Sequence, residues 1–176
     1  MVYGLPLRFP GGAALGRVVF KLDGGYVASF VTQPISGAIP YDCSGYYGYY
    51  CGGPLPKWRH TLRTTWNSPW SFDLSLAWRY IAPVSLDATS SNPFLAQPFA
   101  PVDAGLGARS YFDVTVAWRP RRRLELRAGI NNLFDTDPPV VGENSVGQFP
   151  VTNGNTYPGL YDSLGRYVFL GLTASL

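Results

Sequence analysis

From Trp58 to Trp66, large and mostly apolar side chains take every second position. Trp58, His60, Leu62, Thr64 and Trp66 alternate with Arg59, Thr61, Arg63, Thr65 and Asn67. Beyond Ser68-Pro69 the pattern resumes, with Trp70, Phe72, Leu74, Leu76, Trp78 and Tyr80 against Ser71, Asp73, Ser75, Ala77 and Arg79. Successive side chains of a strand point to opposite faces, so period two over this length predicts strands, not helices. The short link at Asn67-Ser68-Pro69 predicts a hairpin. Downstream, Ser110, Phe112, Val114, Val116 and Trp118 oppose Arg109, Tyr111, Asp113, Thr115 and Arg119. Pro120 to Arg122 turns the chain, and Leu124, Leu126, Ala128 and Ile130 then oppose Arg123, Glu125, Arg127 and Gly129. A last strand sets Val168, Leu170, Leu172, Ala174 and Leu176 against Tyr167, Phe169, Gly171, Thr173 and Ser175. Near the start, Val18, Phe20, Leu22, Tyr26, Ala28 and Phe30 alternate with Arg17, Val19, Lys21, Asp23 and Ser29; Gly24-Gly25 predict a bulge or bend there. Val2 to Phe9 reads as a seventh strand, with Pro6 marking an edge.

The connections fall into two kinds. Those at Pro10–Gly12, Asn67–Pro69 and Pro120–Arg122 are short. Those at Gln33–Pro56, Pro83–Gly107 and Asn132–Ser163 run to roughly two dozen residues or more, far beyond ordinary loops. Short and long alternate strictly, so an up-and-down meander puts every turn at one end and every long loop at the other. The fold class expected is all-β: an antiparallel meander of six or seven strands, forming part of a transmembrane β-barrel. The strand lengths suit a tilted bilayer span of about 9–11 residues, where sandwich strands are about half as long. Trp58, Trp66, Trp70, Trp78, Tyr80 and Trp118 mark strand ends, as amphipathic rings do at a membrane–water interface.

Composition narrows this further. Charged residues are 14% of the 176, below the roughly 25% of soluble domains, and aromatics are 15%. Only Lys21 and Lys57 are lysines and only Glu125 and Glu143 glutamates, which excludes a helical bundle. No apolar run is long enough for a spanning helix. Met1 to Pro6 has neither the basic nor the apolar region of a signal peptide. A net charge of +3 is too small to suggest a nucleic-acid partner, and Arg121-Arg122-Arg123 reads as a solvated turn. Cys43 and Cys51 are the only cysteines. They predict a local disulfide in an oxidising compartment, with two free thiols as the alternative.

The polar face carries Arg63, Asp73, Arg79, Asp113, Arg119, Glu125 and Arg127, expected to face the barrel lumen and to pair across strands. Trp66, Leu74, Leu76, Val114, Val116, Leu126, Leu170 and Leu172 are expected to face lipid. No enzyme is predicted: His60 is the only histidine, and alternation puts it on the apolar side near a strand end. Asp135, Asp137 and Asp162 could converge on calcium, although Asp135 capping its own turn is the simpler expectation. No cofactor is expected. Two alternatives to a large barrel stand: a small outer-membrane barrel or adhesin, and a soluble β-sandwich binding carbohydrate through its aromatics.

Asn131-Asn132-Leu133-Phe134-Asp135, closing a strand ahead of Asp137-Pro138-Pro139, resembles the Asn-Leu-Phe-Asp signature of TonB-dependent outer-membrane receptors. Asn155-Thr156-Tyr157-Pro158 and Tyr161-Asp162-Ser163-Leu164-Gly165-Arg166-Tyr167 resemble the segment leading into their final strand. Cys43 to Gly53, with Lys57-Trp58-Arg59-His60, resembles a cysteine-bearing loop and strand seen in many members. The resemblance implies a barrel of about 22 strands around an N-terminal plug, with uptake powered by TonB. It implies iron chelates, cobalamin or carbohydrates as substrates, and the outer membrane of a Gram-negative bacterium as location. Residues 1–176 would be the C-terminal third of the barrel, with the plug absent. The implied partners are outer-membrane lipid, the remaining strands and plug, TonB through that plug, and the barrel assembly machinery through the C-terminal strand. Leu176 departs from the terminal aromatic usual in the family. Six or seven strands fall short of the eight of the smallest bacterial barrels, so an open sheet with long disordered loops is expected, unable to transport alone.

Overall fold

The computed structural model describes residues 1–8, 10–12, 14–142 and 155–174. Its strands are β1 (Val2–Arg8), β2 (Ala14–Tyr26), β3 (Val31–Thr32), β4 (Tyr41–Asp42), β5 (Tyr46–Tyr47), β6 (Trp58–Asn67), β7 (Phe72–Ile81), β8 (Val84–Leu86), β9 (Gly105–Leu106), β10 (Arg109–Arg121), β11 (Leu124–Asn131) and β12 (Tyr167–Ala174). Seven of them form one sheet in the order β1-β2-β6-β7-β10-β11-β12, each antiparallel to the next. Sheet order follows chain order, so this is an up-and-down meander. Among the described residues it is open: β1 and β12 each have a neighbour on one side only. Pro6 sits in β1, an edge strand, where a missing N–H costs no ladder bond on the free side. Ser175 and Leu176, expected in the last strand, and Phe9 lie outside the described residues.

Register sorts the faces. Trp66 pairs with Leu74, Leu74 with Val116, Leu76 with Val114, Trp118 with Leu126, and Leu126 with Leu172. Directly opposed residues share a face, so these form one apolar surface. It stays uncovered: Leu74 is 40% exposed, Val116 39% and Leu170 80%. Rings bracket this face at both ends. At the turn end Trp70 stacks on Phe72, with centroids 6.2 Å apart, and Trp66 meets Phe72 edge-on at 5.4 Å. At the loop end His60 lies edge-on to Trp78 at 4.7 Å, and Trp78 stacks on Phe112 at 6.2 Å. His60 is on the apolar side as alternation requires, its Nδ1 accepting from Trp58 Nε1 at 2.8 Å.

Four local readings are corrected. Gly24-Gly25 make no bulge; the β2–β6 register runs unbroken through Gly24 opposite His60 and Gly25 opposite Arg59. Glycine serves close approach instead, since a Cβ on Gly24 would stand 2.9 Å from that of His60. Ala28 to Phe30 do not extend β2, because Asp42 Oδ1 takes the Phe30 N–H at 2.8 Å and draws the segment into the first long loop. Trp70 does not begin β7; Ser71 has φ +63° and completes the turn before Phe72. The turn expected over Pro120–Arg122 is shorter, and β10 runs on to Arg121. Its register shifts between Trp118 and Arg121, an extra residue that marks a bulge.

The largest correction concerns the described parts of the long loops, expected to be disordered; residues 143–154 of the third loop lie outside the described residues. The described parts carry β3–β4, a three-stranded sheet β5-β8-β9 and three 3-10 turns. They also hold the buried core. Tyr47, Val84, Leu86, Leu106, Val141, Tyr157 and Tyr161 cluster around Ile81 and Tyr111 from the polar-face ends of β7 and β10. A strand pair exposed on both faces cannot bury its own apolar surface, so the loops supply the dry interior. Cys43 and Cys51 are joined by a disulfide, with Cα atoms 5.4 Å apart. It closes a second cluster of Tyr41, Cys43 and Leu95, where Tyr41 stacks on Phe94 at 5.8 Å. So short a cross-linked loop is worth about 2–3 kcal/mol in the chain-entropy picture. Replacing both cysteines by serine is expected to speed proteolysis within 43–51 and leave the strands protected. Unchanged cleavage there would refute it.

Candidate functional site

At the loop end of the polar face, β2, β6 and β7 form the floor of an open cleft of ≈ 480 Å³. Asp23, Arg59, Thr61 and Arg79 line it from the strands, and Gly159-Leu160 of the last long loop form its wall. The period-two pattern puts these four side chains on one face. The two basic residues differ in freedom. Arg79 Nε donates to Asp113 Oδ2 at 2.8 Å, and its Nη2 to Asp113 Oδ1 at 3.0 Å and Asp162 Oδ2 at 2.9 Å. Its Cζ stands 5.0 Å from the Tyr111 ring centre, which adds a cation–π contact. Arg79 is thus fixed by three side chains from two elements, β10 and the last long loop. Arg59 has no carboxylate partner among the described residues. The cleft therefore combines an anchored cation with a free one.

The Asn131–Asp135 segment braces this arrangement from behind. Asn132 is fully buried with φ +49°. Its N–H donates to Asp113 Oδ1 at 2.9 Å, while its amide clasps Thr136, accepting from the N–H at 2.9 Å and donating to the carbonyl at 3.0 Å. Asp135, with φ +55°, does not cap its own turn. Its Oδ1 accepts the Arg166 N–H at 2.8 Å and pins the start of β12. Asp162 is engaged by Arg79, so Asp135 and Asp162 serve separate contacts rather than one calcium site. Phe134 is exposed and meets Phe112 edge-on at 5.5 Å.

Toward the turn end the same face carries a chain of ion pairs. Arg119 donates to Asp73 Oδ2 at 2.6 Å and Glu125 Oε2 at 2.8 Å, and Arg127 to Glu125 Oε1 at 2.8 Å. The Arg127 contact runs within β11 and not across strands. Arg63 has no ion pair among the described residues and donates to Ser75 Oγ at 3.1 Å. Asn67 Nδ2 completes the group by donating to Asp73 at 2.9 Å.

Sequence reasoning missed the buried aspartates of the loops. Asp87 Oδ2 accepts the N–H groups of Tyr50 at 2.7 Å and Cys51 at 3.0 Å, clamping the disulfide segment. Gly48, at φ +138°, leaves room for that carboxylate, 2.3 Å from where its Cβ would be. Asp103 Oδ1 accepts from Gly142 at 2.9 Å, and its carbonyl takes the Tyr47 hydroxyl at 2.5 Å. No spacing in Ser85-Leu86-Asp87-Ala88 marks that role. An aspartate amid apolar and aromatic loop residues is the only hint.

Burial raises the Tyr161 hydroxyl to about 12 and pushes those of Tyr47 and Tyr157 higher still. Unfolded tyrosine titrates near 10, so between about pH 10 and 12 the folded loops hold protons that the unfolded chain releases. The stabilisation is complete below pH 10 and is lost as pH rises through that window. Tyrosinate absorbance is expected to reach its last amplitude only as the near-UV circular dichroism collapses. Full ionisation of all 12 tyrosines near pH 10 with the dichroism intact would contradict this.

Neither a family model nor a curated protein sequence matches the chain. Solved structures do match its fold. A mutant ferric enterobactin receptor PfeA from Pseudomonas aeruginosa, in complex with enterobactin, aligns with TM-score 0.55 and 16% identity over 99% of this chain and 22% of that one. Two other mutants of the same receptor align at TM-scores of 0.51 and 0.52, each with 14% identity over 99% of this chain and 30% of theirs. The chain thus spans less than a third of the proteins it resembles. These neighbours are receptors, and the fold shared with them is that of part of a receptor barrel.

Proposed function

We propose that this chain is the C-terminal wall of a TonB-dependent outer-membrane receptor that takes up a scarce nutrient with energy from TonB. The chain contributes barrel strands and extracellular loops and performs no catalysis. The rest of the barrel, the plug and the TonB contact belong to other parts of such a receptor. The observation that carries the reading is the uncovered apolar face, bracketed by aromatic rings at both ends, behind a polar face full of ion pairs. From Trp58 to Trp66 the strand runs nine residues, the length with which a tilted strand crosses a bilayer, about 9–11 residues. A soluble sandwich would cover that face with a second sheet. In this reading Arg63, Asp73, Arg79, Asp113, Arg119, Glu125 and Arg127 face the lumen, and the cleft at Arg59 and Arg79 opens to the outside. Of iron chelates, cobalamin and carbohydrates, an anionic iron chelate suits a free guanidinium best.

Nitroxide labels test the wall. In bilayers a label at Val116→Cys is expected to collide with oxygen, and one at Thr115→Cys with an aqueous nickel chelate. Equal aqueous access at both would favour the sandwich. For the ligand, Arg59→Ala is expected to weaken binding of a ferric catecholate about tenfold, the worth of one charged hydrogen bond. An unchanged affinity would remove Arg59 from the site.

A further inference from the structure

Arg121, Arg122 and Arg123 serve neither the cleft nor the ion-pair chain. The strand register gives them another role. Trp118 pairs with Leu126, and without a bulge Arg121 would pair with Arg123 and share the polar face of Arg119. The register shift instead pairs Arg121 with Leu124. Leu124 shares the face of Leu126, so the extra residue turns Arg121 onto the apolar side. Arg122 and Arg123 form the two-residue turn beyond it. Neither has a positive φ, so the turn is not one of the primed types that match strand twist, and the bulge supplies that twist.

All three arginines are exposed. None has a carboxylate partner among the described residues. The nearby carboxylates of Asp73 and Glu125 lie on the opposite face and are held by Arg119 and Arg127. On the apolar side the neighbours are rings: Trp118 is 48% exposed and Trp70 58% exposed, both at this end. Three cations without a carboxylate partner among the described residues thus cluster at the turn end, with Arg121 on the apolar side beside the aromatic rim. Guanidinium groups at that depth meet phosphates, and long basic side chains reach them while their stems stay on apolar ground.

We propose that this turn binds the phosphates of anionic glycerophospholipids in the leaflet at the short-turn end of the sheet. The inference rests on the membrane-spanning reading above. Charge complementarity and continuity with the tryptophan rim select the occupant. Basic residues near an anionic membrane each strengthen attachment severalfold, so three together give a preference of tenfold or more.

The test is native mass spectrometry of the full chain in mixed micelles holding equal phosphatidylglycerol and phosphatidylcholine. Phosphatidylglycerol adducts are expected to exceed phosphatidylcholine adducts about tenfold. Arg121→Gln/Arg122→Gln/Arg123→Gln should bring the two to parity, whereas Arg59→Gln should leave the preference unchanged. If the glutamine variant fails to fold, Arg121→Lys/Arg122→Lys/Arg123→Lys keeps the charge and should keep the preference. Parity in the native chain, or a preference that survives the glutamine variant, overturns this site and leaves the membrane reading standing. A chain that is monomeric without detergent and carries neither lipid overturns both. Retention of single-stranded RNA through the same arginines, with lipid parity, would overturn the site in favour of nucleic acid.

Discussion

Replacing Leu74 by arginine is expected to destabilise the bilayer-folded protein by about 2–4 kcal/mol, and Leu126→Arg by less, because Leu126 lies level with Trp118 at the aromatic rim. Leu74 stands between Trp66 and Val116 on neighbouring strands, and Leu126 between Trp118 and Leu172. An arginine there has no counter-ion on its face and must reach for the rim. Thr115→Arg, one position from Val116 but on the polar face, is expected to cost less than about 1 kcal/mol, as lumen positions tolerate charge. Urea titrations in bilayers measure the difference. Equal losses on the two faces would rule out a lipid-facing surface.

The second large effect is expected at Asp113. Asp113→Ala leaves the Arg79 guanidinium with Asp162 alone and strips the Asn132 N–H of its acceptor. Removing one partner of a buried pair costs about 3–5 kcal/mol, whereas the Asp113 side chain is 13% exposed and that of Arg79 34%. Water screens part of the loss, so about 2–3 kcal/mol is expected. Arg79→Met/Asp113→Leu should cost more than Asp113→Ala, since it also leaves the Asp162 carboxylate, 9% exposed, without its cation. Thermal melts of the two variants against the native chain decide the point. A double variant no worse than the single one would mean that Asp162 contributes nothing to holding Arg79.

The strands were legible because a half-buried strand prints its two faces directly into the sequence. Phe72 to Tyr80 and Ser110 to Trp118 needed nothing more. Asp113 for Arg79, and Asp73 and Glu125 for Arg119, were legible for the same reason, since carboxylates on adjacent strands of one face are neighbours; Asp162, a loop residue, was not. The wall of the cleft at Gly159-Leu160 was not, because it comes from a loop dozens of residues away that obeys no period. Asp87 and Asp103 were hidden likewise: their acceptors serve backbone N–H groups, which every residue has. Gly24-Gly25 misled because glycine in a strand signals either a bulge or close packing, and only the facing His60 decides which. The bulge before Arg121 left no mark either, since the alternation read from the sequence ends at Trp118 and Arg119.

The tyrosine core fixes an order of events. Tyr47 comes from the first long loop, Val84, Leu86 and Leu106 from the second, and Val141, Tyr157 and Tyr161 from the third. No single hairpin owns enough of it to bury anything. These contacts join residues far apart in sequence, and their closure entropy must be met before they give any return. The sheet must therefore zip first, hairpin by hairpin, and the loops can lock only when three hairpins stand side by side. In such a sequence the cap is the last structure to form and the first to open. Hydrogen exchange at Tyr47 and Tyr161 would precede exchange in β7 and β10, so the loop end can loosen while the strands stay paired.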